Sequence, residues 1–305
     1  MKDTPYNRQA ELVLDVLPFI ARQEVFALKG GTAINFFIRD LPRLSVDIDL
    51  SYLPVTEREQ ALSEVTEKLR AVRIALIAST VAESVAEIPL GNTSVLRGLV
   101  VSRHQATVKV EPNLVIRGAV YPPQVLHLCA TAAELFERAV EIQGLSHADL
   151  YGGKICAALD RQHPRDLFDV GLMLEHDGFP ESTRKAFIVY LISHDRPMVE
   201  LLDPNRQDIE PLHRLEFQGM TRSPVTLEAL TAVRERLIQL IQDSLTTDER
   251  QFMVSMKQGE PNWDLLGLRG IESLPAVRWK LLNIRKMTPT KRKMALEKLK
   301  ACLGV

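Results

Sequence analysis

Between Val25 and Tyr52 the chain reads VFALKGGTAINFFIRDLPRLSVDIDLSY, and few folds accommodate that order. The spacing predicts a short apolar strand over 25–28, a Gly30-Gly31-Thr32 turn, a helix over about 32–39 and a second strand over about 44–52. The second strand alternates: Val46, Ile48 and Leu50 fall on one face, and Ser45, Asp47, Asp49 and Ser51 on the other. Two carboxylates are thereby aimed the same way. Glycines between strand and helix remove the Cβ atoms that would hold a phosphate off the backbone, and Thr32 could add a hydroxyl donor. Paired acids beside such a turn point to a divalent metal next to a phosphate cradle, the equipment of phosphoryl transfer.

A third acid follows the same logic. In Thr107–Glu111 (TVKVE), Val108 and Val110 face one way, and Thr107, Lys109 and Glu111 the other. If that strand lies beside the Asp47/Asp49 strand, Glu111 completes three carboxylates on one face, enough for two cations about 3.5–4 Å apart. A D-x-D pair alone, or a lone strand glutamate, is as readily an exposed strand face; the combination with the glycine turn carries the argument.

The rest of the chain sets bounds. Its 305 residues, 46% hydrophobic and 25% charged, fit a globular protein of two domains. Three scattered cysteines without a CxxC pair suit free thiols in a reducing compartment. The N-terminus lacks a signal-peptide pattern, and no apolar run nears the roughly 18 residues of a membrane span, so a cytoplasmic protein is expected. Strand signals, including Ile74–Ile77, Val95–Ser102 and Ala106–Val110, fade near Pro122-Pro123, beyond which the pattern is helical. The expected architecture is α+β: a mixed α/β domain over 1–125, then a helical domain over 126–305. Residues 278–305 carry nine Lys or Arg against Glu297 alone, a local charge of +8 on a chain of net −1. That asymmetry suits a polyanion or acidic partner; a solvated lysine-rich helix is the plainer alternative.

Lys154 follows Gly152-Gly153 inside a strong helical pattern from about Ser146 to Arg161. Each glycine there costs about 1 kcal/mol against alanine, so close approach of a ligand or of another helix is expected. Asp166 and Asp169, at i and i+3, share a helix face beside Arg165; acids in a first helical turn after Pro164 are an equally simple reading. Thr131 with Glu134 has capping-box spacing. The seven histidines show no ligand spacing, and Trp263 and Trp279 read as core or interdomain residues. Ser45 lies two residues from Asp47, so a phosphate or nucleotide on it would set negative charge beside the acids.

KGGTAINFF and RLSVDIDLSY, with DLYGGKICAALDR (149–161) and RQHPRDLFD (161–169), resemble the AbiEii/AbiGii toxin family of the DNA polymerase β-like nucleotidyltransferases. The resemblance runs over about residues 10–175. It implies that Asp47, Asp49 and Glu111 bind Mg2+ or Mn2+, that Lys154 contacts the phosphates of a nucleoside triphosphate, and that the segment with Asp166 and Asp169 closes the nucleotide pocket between the domains. Glu111 stands where the family pattern has Asp. The implied activity is metal-dependent transfer of NMP from an NTP to an RNA acceptor, the tRNA 3′ end being the expected one, by a toxin that inhibits translation and has a cognate antitoxin. The rivals are transfer to a protein hydroxyl and a nucleotide-binding module without turnover.

Overall fold

A computed structural model of the protein describes residues 5–305. The chain divides into two compact units, Met1–Ser146 with Gln218–Pro224, and His147–Phe217 with Val225–Val305.

The first unit is built on one sheet. Its elements are α1 (Pro5–Ala21), β1 (Phe26–Lys29), α2 (Gly30–Ala33, continued as a π-helical turn Ile34–Ile38), β2 (Asp47–Tyr52), α3 (Arg58–Ala78), β3 (Ser84–Pro89), β4 (Leu96–Arg103), β5 (Ala106–Asn113), β6 (Gln124–His127), α4 (Ala130–Phe136) and β7 (Glu141–Gly144). The seven strands lie in the order β3-β4-β5-β2-β1-β7-β6. Two joints are parallel, β2 with β5 and β1 with β7, and the others antiparallel. The expected α+β class is therefore the observed one. Ile48, Leu50, Val108 and Val110 are fully buried, as their alternation requires. Segment 218–224 returns to this unit by backbone bonds from Leu44 to the Met220 carbonyl and from Arg222 to the Pro42 carbonyl.

Several local expectations fail for identifiable reasons. Ile74–Ile77 is the last part of α3, not a strand. The buried series Ala61, Leu62, Val65, Leu69, Val72, Leu76 keeps helical period to the end, while Ile74 and Ile77 face solvent. The sheet runs on past Pro122-Pro123 through β6 and β7, so this unit extends to Ser146 where a boundary near 125 was expected. Thr131 does not cap α4; Cys129 occupies that position. The Thr131 amide and hydroxyl instead donate to the Asp40 carboxylate, at 3.0 and 2.5 Å.

The second unit is helical: α5 (His147–Asp160), α6 (Pro164–His176), α7 (Glu181–Ser193), α8 (Met198–Leu202), α9 (Glu210–Leu212), α10 (Leu227–Ser244), α11 (Thr247–Gln258), α12 (Pro275–Lys286) and α13 (Pro289–Leu303). The α5–α7 contact is its most extensive packing. Gly152 explains why: a Cβ there would lie 2.8 Å from the Phe187 amide nitrogen and 2.9 Å from the Ala186 carbonyl carbon. Another helix, rather than a ligand, occupies the space this glycine leaves. Lys280 on α12 is buried and donates to the carbonyls of His194, Asp195 and Arg196, just after α7. Burial, with the charge of Lys257 added, holds its pKa down to about 8. Trp279, expected in a core or between domains, is 47% exposed, and Trp263 packs on Phe252 at 5.8 Å between ring centroids.

Gly152→Ala must push α5 and α7 apart against backbone atoms. A loss of about 1–3 kcal/mol is expected in denaturant unfolding, whereas Gly153, whose added Cβ would meet only the Tyr190 ring at 3.4 Å or beyond, should accept alanine at small cost.

Candidate active site

The glycine turn and the acidic strand are pressed together. Register pairs Lys29 of β1 with Asp49 of β2, and Asp49 with Glu111 of β5. Lys29, Asp49 and Glu111 thus form one row across three adjacent strands. Asp47 pairs with Lys109 in the same way, one pleat along. The expectation that Glu111 shares a face with the aspartates is met by the parallel β2–β5 joint. Asp47 is exposed, and Asp49 and Glu111 are half-buried.

Gly30 has φ +72°, and a Cβ on it would collide with the Asp49 carboxylate oxygen Oδ2. A Cβ on Gly31 would lie 2.7 Å from an Arg43 guanidinium nitrogen and 3.0 Å from the Ser45 hydroxyl. Both glycines are needed so that the protein's own Asp49 and Arg43 can approach the turn. A third close approach supports Glu111: a Cβ on Gly98 of β4 would lie 3.2 Å from its Cγ.

Thr32 is buried, and its hydroxyl donates to the Asp47 backbone carbonyl. The same hydroxyl lies 3.0 Å from the Ser45 hydroxyl. The Thr32 hydroxyl is thus occupied with the acidic strand rather than offered to a phosphate. Ser45 lies before the strand proper and is 7% exposed, so its oxygen is engaged within the fold.

Asp49 and Glu111 fit a divalent cation. They are carboxylates opposed in register, about 5 Å apart at the backbone, and like charges so placed repel unless a cation offsets them. The missing Gly30 Cβ keeps the Asp49 carboxylate beside the turn. Among the described residues no three acids, histidines or cysteines already converge as a metal-binding group. The three-acid, two-cation arrangement expected from sequence is therefore not preformed; Lys29 and Lys109 take neighbouring places in the rows.

In the second unit, Lys154, Asp166 and Asp169 form one buried cluster. The Lys154 ammonium lies 2.9 Å from Asp166 Oδ1 and 3.2 Å from Asp169 Oδ2. Arg161 adds a two-pronged contact to Asp166, at 2.6 and 3.1 Å. Two cations and two anions cancel. The α6 start is fixed by His163, whose Nδ1 accepts from the Arg165 amide while Nε2 meets Glu216 at 3.1 Å. Burial raises the Asp166 pKa, but the Lys154 charge and the Arg161 hydrogen bonds outweigh it and hold the carboxyl well below the ordinary range.

Arg43 and Lys29 escaped sequence reasoning. Arg43 is 2% exposed, and its Nη1 donates to the Leu44 carbonyl at 2.9 Å. Its one signal was an arginine in the otherwise apolar run LPRLSV. Lys29 became notable only once the β1–β2 register placed it opposite Asp49.

The comparisons with known proteins agree with this architecture. The family model described as "Nucleotidyl transferase AbiEii toxin, Type IV TA system" matches residues 12–283. Among solved structures, the nucleotidyltransferase toxin MenT4 from Mycobacterium tuberculosis H37Rv is similar in fold, with TM-score 0.59 and 17% identity over 95% of this chain and 92% of that one. No curated protein matches the sequence.

Asp166→Asn leaves Lys154 and Arg161 short of a counter-ion, and about 3–5 kcal/mol of stability should be lost at pH 7. The folded-state pKa is depressed, so the wild-type contribution is complete above the unfolded value near 3.8 and disappears as pH falls through the folded one. Melting temperatures between pH 7 and pH 2 should therefore fall more steeply below about pH 4 for wild type than for the variant.

Proposed function

The chain belongs to the AbiEii family of nucleotidyltransferase toxins, and from that premise we propose that it transfers a nucleoside monophosphate from an NTP to an RNA acceptor, the tRNA 3′ end. The carrying observation is the register of Asp49 with Glu111, held against the Gly30-Gly31 turn.

In this reading Asp49 and Glu111, with Asp47 at the strand's start, hold a divalent ion, Mg2+ or Mn2+. When bound, that ion supplies charge neutralisation for the triphosphate and the departing pyrophosphate. The Gly30–Gly31 backbone takes phosphate oxygens. Thr32 acts as a positioning residue, tying turn to strand so that the carboxylates do not drift. The family resemblance assigns Lys154 the role of supplying positive charge to the nucleotide's phosphates; within its own unit Asp166 and Asp169 hold its ammonium in place. The acceptor's 3′ hydroxyl attacks the α-phosphorus, forming one P–O bond as the bond to pyrophosphate breaks. The enzyme's contribution is position and electrostatics. A blocked acceptor end would arrest translation, which suits membership of a toxin–antitoxin family and implies a cognate antitoxin. No helix among the described residues is long and apolar enough to cross a membrane.

Incubation with magnesium and each α-labelled NTP, with and without total tRNA, decides the reading. Label should enter RNA from one or two nucleotides and vanish in Asp49→Ala. Label in protein alone would transfer the proposal to a protein hydroxyl, and NTP binding without label would leave a binding module. Gly30→Ala should lower transfer by at least about 100-fold while the fold persists by circular dichroism, because a displaced Asp49 spoils positioning.

A further inference from the structure

The second unit contains a cavity of about 420 Å³ unrelated to the Lys154 cluster. Its walls come from the start of α8, from α11 and from α13 with the turn before it, and they are mostly aliphatic: Met198, Met287, Met294 and Leu299 among them. Three lysines stand around it, Lys257, Lys291 and Lys298. The one acid of the lining, Glu200, already accepts from Arg196 at 3.0 Å.

The charges at this cavity are uncompensated. Lys291 and Lys298 have no ion-pair partner among the described residues; nor do Lys286, Arg292 and Lys293 on the same stretch of chain. A solvated, lysine-rich helix would ordinarily space acids at i±3 or i±4, but α13 has only Glu297, and that lies 3.9 Å from Lys300. Lys257 is half-buried, and its ammonium lies 4.0 Å from the Met287 sulfur. Burial lowers its pKa, the direction expected of a cation without a counter-ion.

We propose that this cavity binds an unpaired nucleotide of RNA, the base against the methionine walls and its phosphates on Lys257, Lys291 and Lys298. The volume lies within the range of small-ligand sites. Methionines adapt to flat rings and make favourable sulfur–aromatic contacts. The lining offers few polar groups, so recognition would be tolerant of base identity, as in single-strand binding driven by stacking and charge. Several unpaired cations in succession fit a polymer of phosphates better than a lone anion. An anionic membrane surface is less well matched: Val277, Ile284, Leu299 and Leu303 of the last two helices are buried, and the exposed Trp279, Leu282 and Met294 are too few for the broad apolar face that insertion uses. The inference rests on the RNA-acceptor reading and adds where the acceptor is gripped.

The test measures binding without NTP or metal, so that it is independent of catalysis. Fluorescein-labelled unpaired oligoribonucleotide and total tRNA would be titrated with the full chain at several salt concentrations, beside anionic phospholipid vesicles. Lys291→Glu with Lys298→Glu should weaken RNA binding at least about tenfold and flatten the salt dependence by about one unit of log–log slope per lysine. Ala295→Phe, which fills the cavity, should weaken binding several-fold with the salt slope unchanged. Lys68→Glu with Arg70→Glu, an equal charge change at residues already paired to Glu67 and Glu87, should bind as wild type. Each variant's melting curve reports whether it folds. RNA binding unaltered in both cavity variants, while label still enters RNA, would overturn the cavity and leave the acceptor reading standing. Vesicle binding without RNA binding would overturn the cavity's assignment in favour of a membrane surface, and label confined to protein would separately remove the acceptor reading.

Discussion

The parallel pairing of β2 with β5 is the constraint from which the site follows. Antiparallel neighbours can be joined by a tight turn, but a parallel pair needs a long crossover. Here α3, β3 and β4 lie between β2 and β5 in the chain, so the acidic strand ends up inside the sheet, with β1 on its other side. That interior place fixes register, since a slip of one residue would turn Ile48 and Leu50 outward and Asp49 into the core. The same pairing that buries the apolar face sets Asp49 beside Glu111. Chemistry and stability are read from opposite faces of one strand.

The close approaches around Gly30, Gly31 and Gly98 show what the glycines accomplish. At Gly30 and Gly31 polar side chains, and at Gly98 the Val110 carbonyl with the Glu111 side chain behind it, fill the volume of the absent Cβ. Thr32 then bonds the turn to the backbone of the strand it faces. The acids are thereby held by backbone geometry, which moves little, rather than by flexible side-chain contacts. The buried Lys154 cluster follows a different rule: its charges neutralise each other, and the cost of burying them is offset only while all partners remain.

Most of the first unit's logic was legible because alternation and turn chemistry are local. The acid-bearing strand and the glycine turn needed no partner to be recognised. The illegible parts depend on what lies opposite. Ile74–Ile77 looks like a strand by residue type, and only the burial rhythm of α3 shows otherwise. Short β6 and β7 carry too few residues for a periodic signal. Gly152-Gly153 announced a close approach without saying to what, and the answer is α7. Thr32 was read from residue type, and Lys154 from the family resemblance, as phosphate ligands; their present partners, a strand carbonyl and two aspartates, are tertiary facts. Lys29 and Arg43 gained meaning only through register and burial.

Lys280 belongs to the basic C-terminal stretch by sequence, yet its ammonium is enclosed by three consecutive carbonyls. It serves those oxygens much as a bound metal ion serves a loop. Arg250 likewise donates to the Leu303 carbonyl, fastening the far end of α13. The cationic stretch is consequently not an appendage that evolution or an experimenter can remove whole. Cutting the chain before residue 280 would withdraw the cation that organises the turn after α7, so a truncated protein would report on folding and on polyanion binding at once. Its charge can be altered one surface residue at a time, but its backbone is part of the scaffold.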